Sequence, residues 1–220
     1  MTQTINLGPE VYVTDPCYSV PTWCQTKLTN VLPGEWIVSM IYDEKGGSNR
    51  NAELFLVHKD YQGKSLLYDW DWLGDFGVDS GQAGVFDAAS YRDDAYAAGI
   101  TTPEVDFDLM GDPEDGDAWY TKMCKFTLSD DSYGAYDTGL VSSSGIGDGQ
   151  YPLYVAYDND NNIIAMKIDY LLDDEDEDGD ICGVCGGDLE GDGTCDYCQQ
   201  EECVECGNDN SNGEPCNCKN

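Results

Sequence analysis

The sequence predicts a mainly β chain, an antiparallel sheet or sandwich with one or two short helices, followed by a small Cys-rich, zinc-ribbon-like C-terminal module. Three observations predict it. Aromatic and β-branched runs recur between Gly, Pro and Asn clusters, the signature of antiparallel strands. Two of those runs, residues 151–157 and 163–170, flank a turn at 158–162 and read as a hairpin. Eight of the 11 cysteines lie beyond residue 181 in close pairs, where almost no apolar side chain is available to bury.

In chain order, residues 11–14 read as a strand stopped by Pro16, with Asp15 able to bond the backbone of the turn it starts. Residues 22–30 fit a short helix with Thr22 as N-cap. The turn at Leu32-Pro33-Gly34 leads to a strand over 35–42, and the Gly46-Gly47 turn to a strand over 52–58. After an aromatic stretch over 66–74, the glycines at 74, 77, 81 and 84 predict one sharply bent strand through 76–87. Residues 88–98 form the best helix candidate in the body, with Gly99 as its stop. Residues 101–117 are acidic, contain Pro and Gly, and read as a surface loop. Strands are expected over 119–128 and 139–144, the latter followed by the Gly145-Ile146-Gly147-Asp148-Gly149 turn and the hairpin.

Residues 173–180 carry seven acids in eight positions, so they should self-repel and extend. The expected organisation is a β-rich body over 1–172, an acidic linker over 173–180 and a Cys-rich module over 181–220. The module's pairs are Cys182/Cys185, Cys195/Cys198, Cys203/Cys206 and Cys216/Cys218. Such spacings let two thiolates on one tight turn reach a single tetrahedral ion, so eight suit two closed, structural Zn2+ sites. Disulfides are the competing reading, since the run from Cys182 to Asp188 also looks like Cys-rich repeats of some extracellular proteins. Cys17, Cys24 and Cys124 are left over as small buried hydrophobes.

Charge narrows the partners. The chain carries 44 acidic against 10 basic residues, a net charge of −34. Direct binding to nucleic acid or an anionic membrane is disfavoured, because it requires Lys and Arg to neutralise phosphates. The acidity fits a halophilic surface, a face for a basic protein partner, or an acidic nucleic-acid mimic. Residues 1–20 lack the basic and apolar regions of a secretory signal, and no apolar run reaches the length of a membrane span. A cytoplasmic or virion location is expected, where thiols stay reduced.

Four stretches together resemble an uncharacterised family of proteins found in phages and bacteria. They are Thr14-Asp15-Pro16-Cys17-Tyr18, the run from Val78 to Asp87 (VDSGQAGVFD), the run from Gly139 to Ala156 with its SSSGIGDG core, and residues 163–170. The resemblance spans about residues 11–170. It implies a mainly β domain in a viral or mobile-element setting, and no agreed activity. The Cys-rich tail lies outside it.

Loops on a rigid sheet are where sites are built. Asp15, Cys17, Asp79, Ser80, Gln82, Asp87, Ser144 and Asp148 each lie in or beside a demanding turn and could converge at one end of the sheet, to bind a divalent cation or a small ligand, or to do acid/base work. They could equally cap turns and satisfy backbone groups. His58, the single histidine, ends a strand with no nucleophile beside it in any recognisable motif. The glycines at 145, 147 and 149 lack the Lys and the helix N-terminus a nucleotide loop needs. Residues 174–179 copy half an EF-hand loop but place Cys185 where a bidentate Glu is required.

No complete catalytic constellation is present in the sequence, so no catalytic residue is assigned. The leading expectation is a non-enzymatic binding or structural protein with a protein partner, such as a capsid or other virion protein. The alternatives are a small enzyme or ligand-binding protein using the Asp-rich loops, and the nucleic-acid mimic. If the acidity is salt adaptation, the thermal unfolding midpoint should rise substantially from low salt to molar KCl as screening removes self-repulsion. A midpoint that is flat or falls with salt rejects that reading.

Overall fold

The structure is a computed structural model and describes residues 3–43, 50–63, 68–105 and 118–171. Along the chain run β1 (Gln3–Leu7), β2 (Glu10–Thr14), β3 (Gln25–Thr29), β4 (Gly34–Asp43), β5 (Arg50–His58), β6 (Asp71–Val78) and β7 (Gln82–Asp87). Then come the one-turn helix α1 (Asp94–Ala97), helix α2 (Ala118–Thr127), β8 (Tyr133–Tyr136), β9 (Gly139–Ser143), β10 (Gly149–Tyr157) and β11 (Ile163–Asp169).

The strands form two antiparallel sheets, a six-stranded one ordered β1-β4-β5-β11-β10-β6 and a five-stranded one ordered β3-β2-β7-β9-β8. Alternation dictates how they meet. In β4, Trp36 and Val38 point inward while Ile37 and Ser39 point out, and β5 repeats the pattern with Leu54 and Leu56 against Phe55 and Val57. Their inward faces join Val11, Val13, Val85 and Leu140 of the other sheet in one apolar core between the two. Each such side chain, fully buried, contributes roughly 1.5–3 kcal/mol. A second cluster packs Trp119, Met123 and Phe126 of α2 against Phe86, Tyr136 and Val141, on the opposite face of the five-stranded sheet. β7 therefore lies between two apolar layers, and every residue from Gln82 to Phe86 is buried.

The hairpin read from the sequence is present as β10 and β11, in register from Leu153 opposite Ile168 to Ala156 opposite Ala165. Asp158 stabilises its turn by accepting the amides of Asp160 at 2.9 Å and Asn162 at 2.8 Å.

Four expectations are corrected. Residues 25–29 are strand β3 rather than helix, because Leu28 turns inward while the chain pairs with β2 from Glu10 opposite Thr29 to Thr14 opposite Gln25. Residues 118–127 are helix rather than strand. Trp119, Met123 and Phe126 recur at the helical spacing and bury one face, which overrides the β propensity of Trp, Tyr and Phe. The helix expected over 88–98 is only Asp94–Ala97, capped by the Asp93 carboxylate, which accepts the amides of Ala95 and Tyr96. Residues 76–87 are two strands in different sheets, separated by a turn in which Gly81 takes a φ of 66°. The acidic linker and the Cys-rich module lie outside the described residues.

Gly134 of β8 lies directly beneath the ring of Phe126, and a Cβ there would collide with it. Gly134→Ala should cost about 2 kcal/mol by overpacking, lowering the unfolding midpoint by roughly 5 °C. Calorimetry checks this, and Gly134→Ala combined with Phe126→Leu should recover part of the loss.

Candidate functional site

The site is built on two turns, one leaving β2 and one joining β6 to β7. Pro16 ends β2, which places Asp15 at the strand's end, where it is fully buried. Its carboxylate reaches across to the second turn. Oδ2 accepts the amides of Asp79 and Ser80, both at 2.8 Å, while Oδ1 accepts the Ser80 hydroxyl at 2.7 Å and the Cys17 amide at 2.9 Å. A buried carboxylate with four donors is a cross-link between two loops.

The first turn is held from its other side as well. The Tyr91 hydroxyl donates to the Tyr18 carbonyl at 2.7 Å, and the Arg92 guanidinium donates to the Pro16 carbonyl at 2.5 Å while lying 5.7 Å from the Trp119 ring. The Tyr18 hydroxyl donates to Asp79 Oδ2, and that bond pushes the exposed phenol up to about 12.

Behind the second turn, the Gln82 side chain emerges from β7 toward α2. Its Nε2 lies 3.4 Å from the Tyr120 hydroxyl and 3.7 Å from Cys124 Sγ, while Oε1 is buried and has no hydrogen-bond partner among the described residues. Burial, and then the Cys124 thiol, raise the Tyr120 phenol above its ordinary value. Burial first, and then the hydrogen bond to Asp15, push the Cys17 thiol up to about 12, and burial pushes the Cys24 thiol up to about 11. These thiols are therefore protonated at neutral pH, and the thiolate is the nucleophilic form.

The structure thus brings Asp15, Cys17, Asp79, Ser80 and Gln82 together. Ser144 lies at the edge of the group, donating its amide to the Gly81 carbonyl at 3.0 Å and its hydroxyl to the Gly147 carbonyl at 2.6 Å. Asp87 is elsewhere, five residues and about 16 Å along β7 from Gln82. It accepts the amides of Gly8 at 2.6 Å and Ala89 at 2.9 Å. Asp148 is exposed on the 145–149 turn. Among the described residues, no group of three or more His, Cys, Asp or Glu side chains is arranged to hold a metal ion. The eight tail cysteines lie outside the described residues.

His58 lies apart, at the end of β5 in the other sheet. It is buried edge-on to Trp36, with Nδ1 accepting the Asp60 amide at 3.3 Å and Nε2 3.3 Å from the Pro33 carbonyl. Both ring nitrogens face backbone groups, one before β4 and one after β5.

Tyr120 and Cys124 belong to this group and were absent from the sequence-based candidates. Their signal is the i, i+4 spacing, which puts both on one face of a helix and is invisible once the segment is read as a strand.

A family model described as "Protein of unknown function (DUF4241)" matches residues 9–168. The chain belongs to this family. All eight loop candidates fall inside the DUF4241 span, whereas the Cys-rich tail falls outside it. No curated protein and no solved structure matches the chain. No helix among the described residues of this DUF4241 member is long and apolar enough to cross a membrane.

Asp15→Asn exchanges an acceptor for a donor facing backbone N–H groups and should cost about 2–4 kcal/mol, a fall of roughly 5–15 °C in the unfolding midpoint. Calorimetry at neutral pH checks it. An unchanged midpoint would show that the carboxylate is not the cross-link described here.

Proposed function

We propose that this DUF4241 member is a non-enzymatic binding or structural protein. In this reading the β body is a rigid carrier, and the Cys-rich tail, closed on two structural Zn2+, docks a protein partner. The observation that carries it is the commitment of the loop groups to the fold. Asp15 spends its carboxylate on four donors from two turns. Asp87 caps a turn, Cys17 is held protonated, and both nitrogens of His58 face backbone groups, the Pro33 carbonyl and the Asp60 amide. A general base or nucleophile needs a free lone pair aimed at substrate and a pKa near the working pH. These side chains instead work for the backbone.

The resemblance to phage and bacterial proteins points to a virion component as the partner, and a surface with a net charge of −34 points to a basic docking face on it. Eight thiolates in four close pairs support zinc as the tail's staple, since so few apolar residues cannot fold it.

The two ions pair sequentially, Cys182, Cys185, Cys195 and Cys198 on one and Cys203, Cys206, Cys216 and Cys218 on the other, which keeps each closed loop short. Replacing Cys216 and Cys218 by Ser should release one of two zincs, measured by elemental analysis, and leave the body's midpoint unchanged. Loss of both zincs would overturn sequential pairing. Four disulfides and no metal in the native protein would overturn the zinc-stapled tail.

A further inference from the structure

The helices cover the five-stranded sheet, whereas the outer face of the six-stranded sheet carries a groove. It has a volume of about 470 Å³ and is lined by side chains that include Ile37, Ile41, Phe55, Val57, Gln62 and Trp70. Its floor follows from strand alternation, being the outward set of β4 and β5. The register extends an outward row across the sheet, from Ser39 to Phe55, Lys167, Tyr154 and Trp72 on five neighbouring strands. Trp70 stands edge-to-face with Phe55, their centroids 6.1 Å apart and their planes at 65°, and Tyr68 backs Trp70 at 5.5 Å and 76°. Two rings at such an angle form a corner, and aromatic faces are electron-rich.

We propose that this groove binds an alkylammonium group. Its size is that of a small-molecule site, predominantly apolar and aromatic with a few polar atoms. Ring faces attract cations, most strongly where water is partly excluded. None of the described residues that line it is basic. Among the described residues, Lys167 of the same outward row lies over the Tyr154 ring at 4.5 Å and 3.9 Å from Glu53, and Lys59 at the end of β5 lies on Glu35 at 2.8 Å. Exposed Asp60 and Asp69 lie two and one residues from Gln62 and Trp70, and the chain's charge of −34 concentrates cations at its surface. A hard metal cation is a poor fit, because it requires several oxygen ligands and Ser39 and Gln62 supply the only side-chain oxygens among the described lining residues. A methylated ammonium is weakly hydrated and carries its own apolar surface. It fits both the rings and the charge.

This inference is independent of the tail and of the docking role proposed above, so it stands or falls separately. The test titrates the full chain, at constant ionic strength, with choline and with its neutral isostere, in which a tert-butyl group replaces the trimethylammonium. A third probe is a short glycine peptide carrying one Nε-trimethyllysine. The readout is the indole N–H resonance of Trp70, identified among the 5 tryptophans by its loss in Trp70→Leu. Choline should shift that resonance saturably, with an affinity about tenfold above the isostere, and Phe55→Leu should abolish the difference. Tighter binding of choline than of the peptide identifies a free small molecule as the source, and the reverse identifies a partner's side chain. Equal shifts by choline and isostere, shifts spread over the acidic surface, or no shift at Trp70 would each overturn the proposal.

Discussion

β7 is the strand on which the rest of the fold depends, because it is buried on both faces. Ala83 and Val85 face the core between the sheets, while Gln82 and Phe86 face the helical layer. The turn that feeds it lies at the surface, with Asp79 exposed and Ser80 half-buried. The chain must change sheets between Val78 and Gln82, and the amides of Asp79 and Ser80 need acceptors there. Asp15 supplies both from outside the turn. One side chain thereby fixes the end of β2, the start of β7 and the crossing between the two sheets.

This explains why a group of residues resembling a catalytic site can be structural. Buried polar networks rigidify a core when every member is satisfied. Here Asp15 gathers the amides of Cys17, Asp79 and Ser80 and the Ser80 hydroxyl, and the proximity of these residues follows from the crossing it holds. Gln82 is the exception, since its Oε1 lacks a partner among the described residues and its amide faces the soft Cys124 sulfur and a phenol of raised pKa.

Much of the fold was legible where periodicity was unambiguous. The β10–β11 hairpin, the strands β4 and β5 and the stop at Pro16 all follow from alternation and turn chemistry. Two segments misled for the same reason. The segment 118–127 is rich in aromatic residues that favour strands, and only the spacing of Trp119, Met123 and Phe126 betrays the helix. Conversely, Gln25, Thr26 and Lys27 lack a clear alternation, and their strand is imposed by pairing with β2. At the site, Asp15, Cys17 and Ser80 could be picked out by their turns. That Asp87 belongs to the far end of β7, and that Tyr120 and Cys124 join the group, depended on sheet assignment and helix phase, which no local pattern carries.

The strand order has a consequence for synthesis. In the six-stranded sheet, β5 and β6 are separated by β11 and β10, the last two of the described strands to be made. Until the ribosome has passed Asp169, β5 and β6 each present an open edge, the template on which chains mispair. The terminal hairpin is a keystone, inserted between strands that have waited for it for at least 71 residues, from Val78 to Gly149. Everything beyond it, the acidic run and the cysteines, leaves the ribosome only as the body closes, so for most of its synthesis the body has no tail to interfere with its pairing.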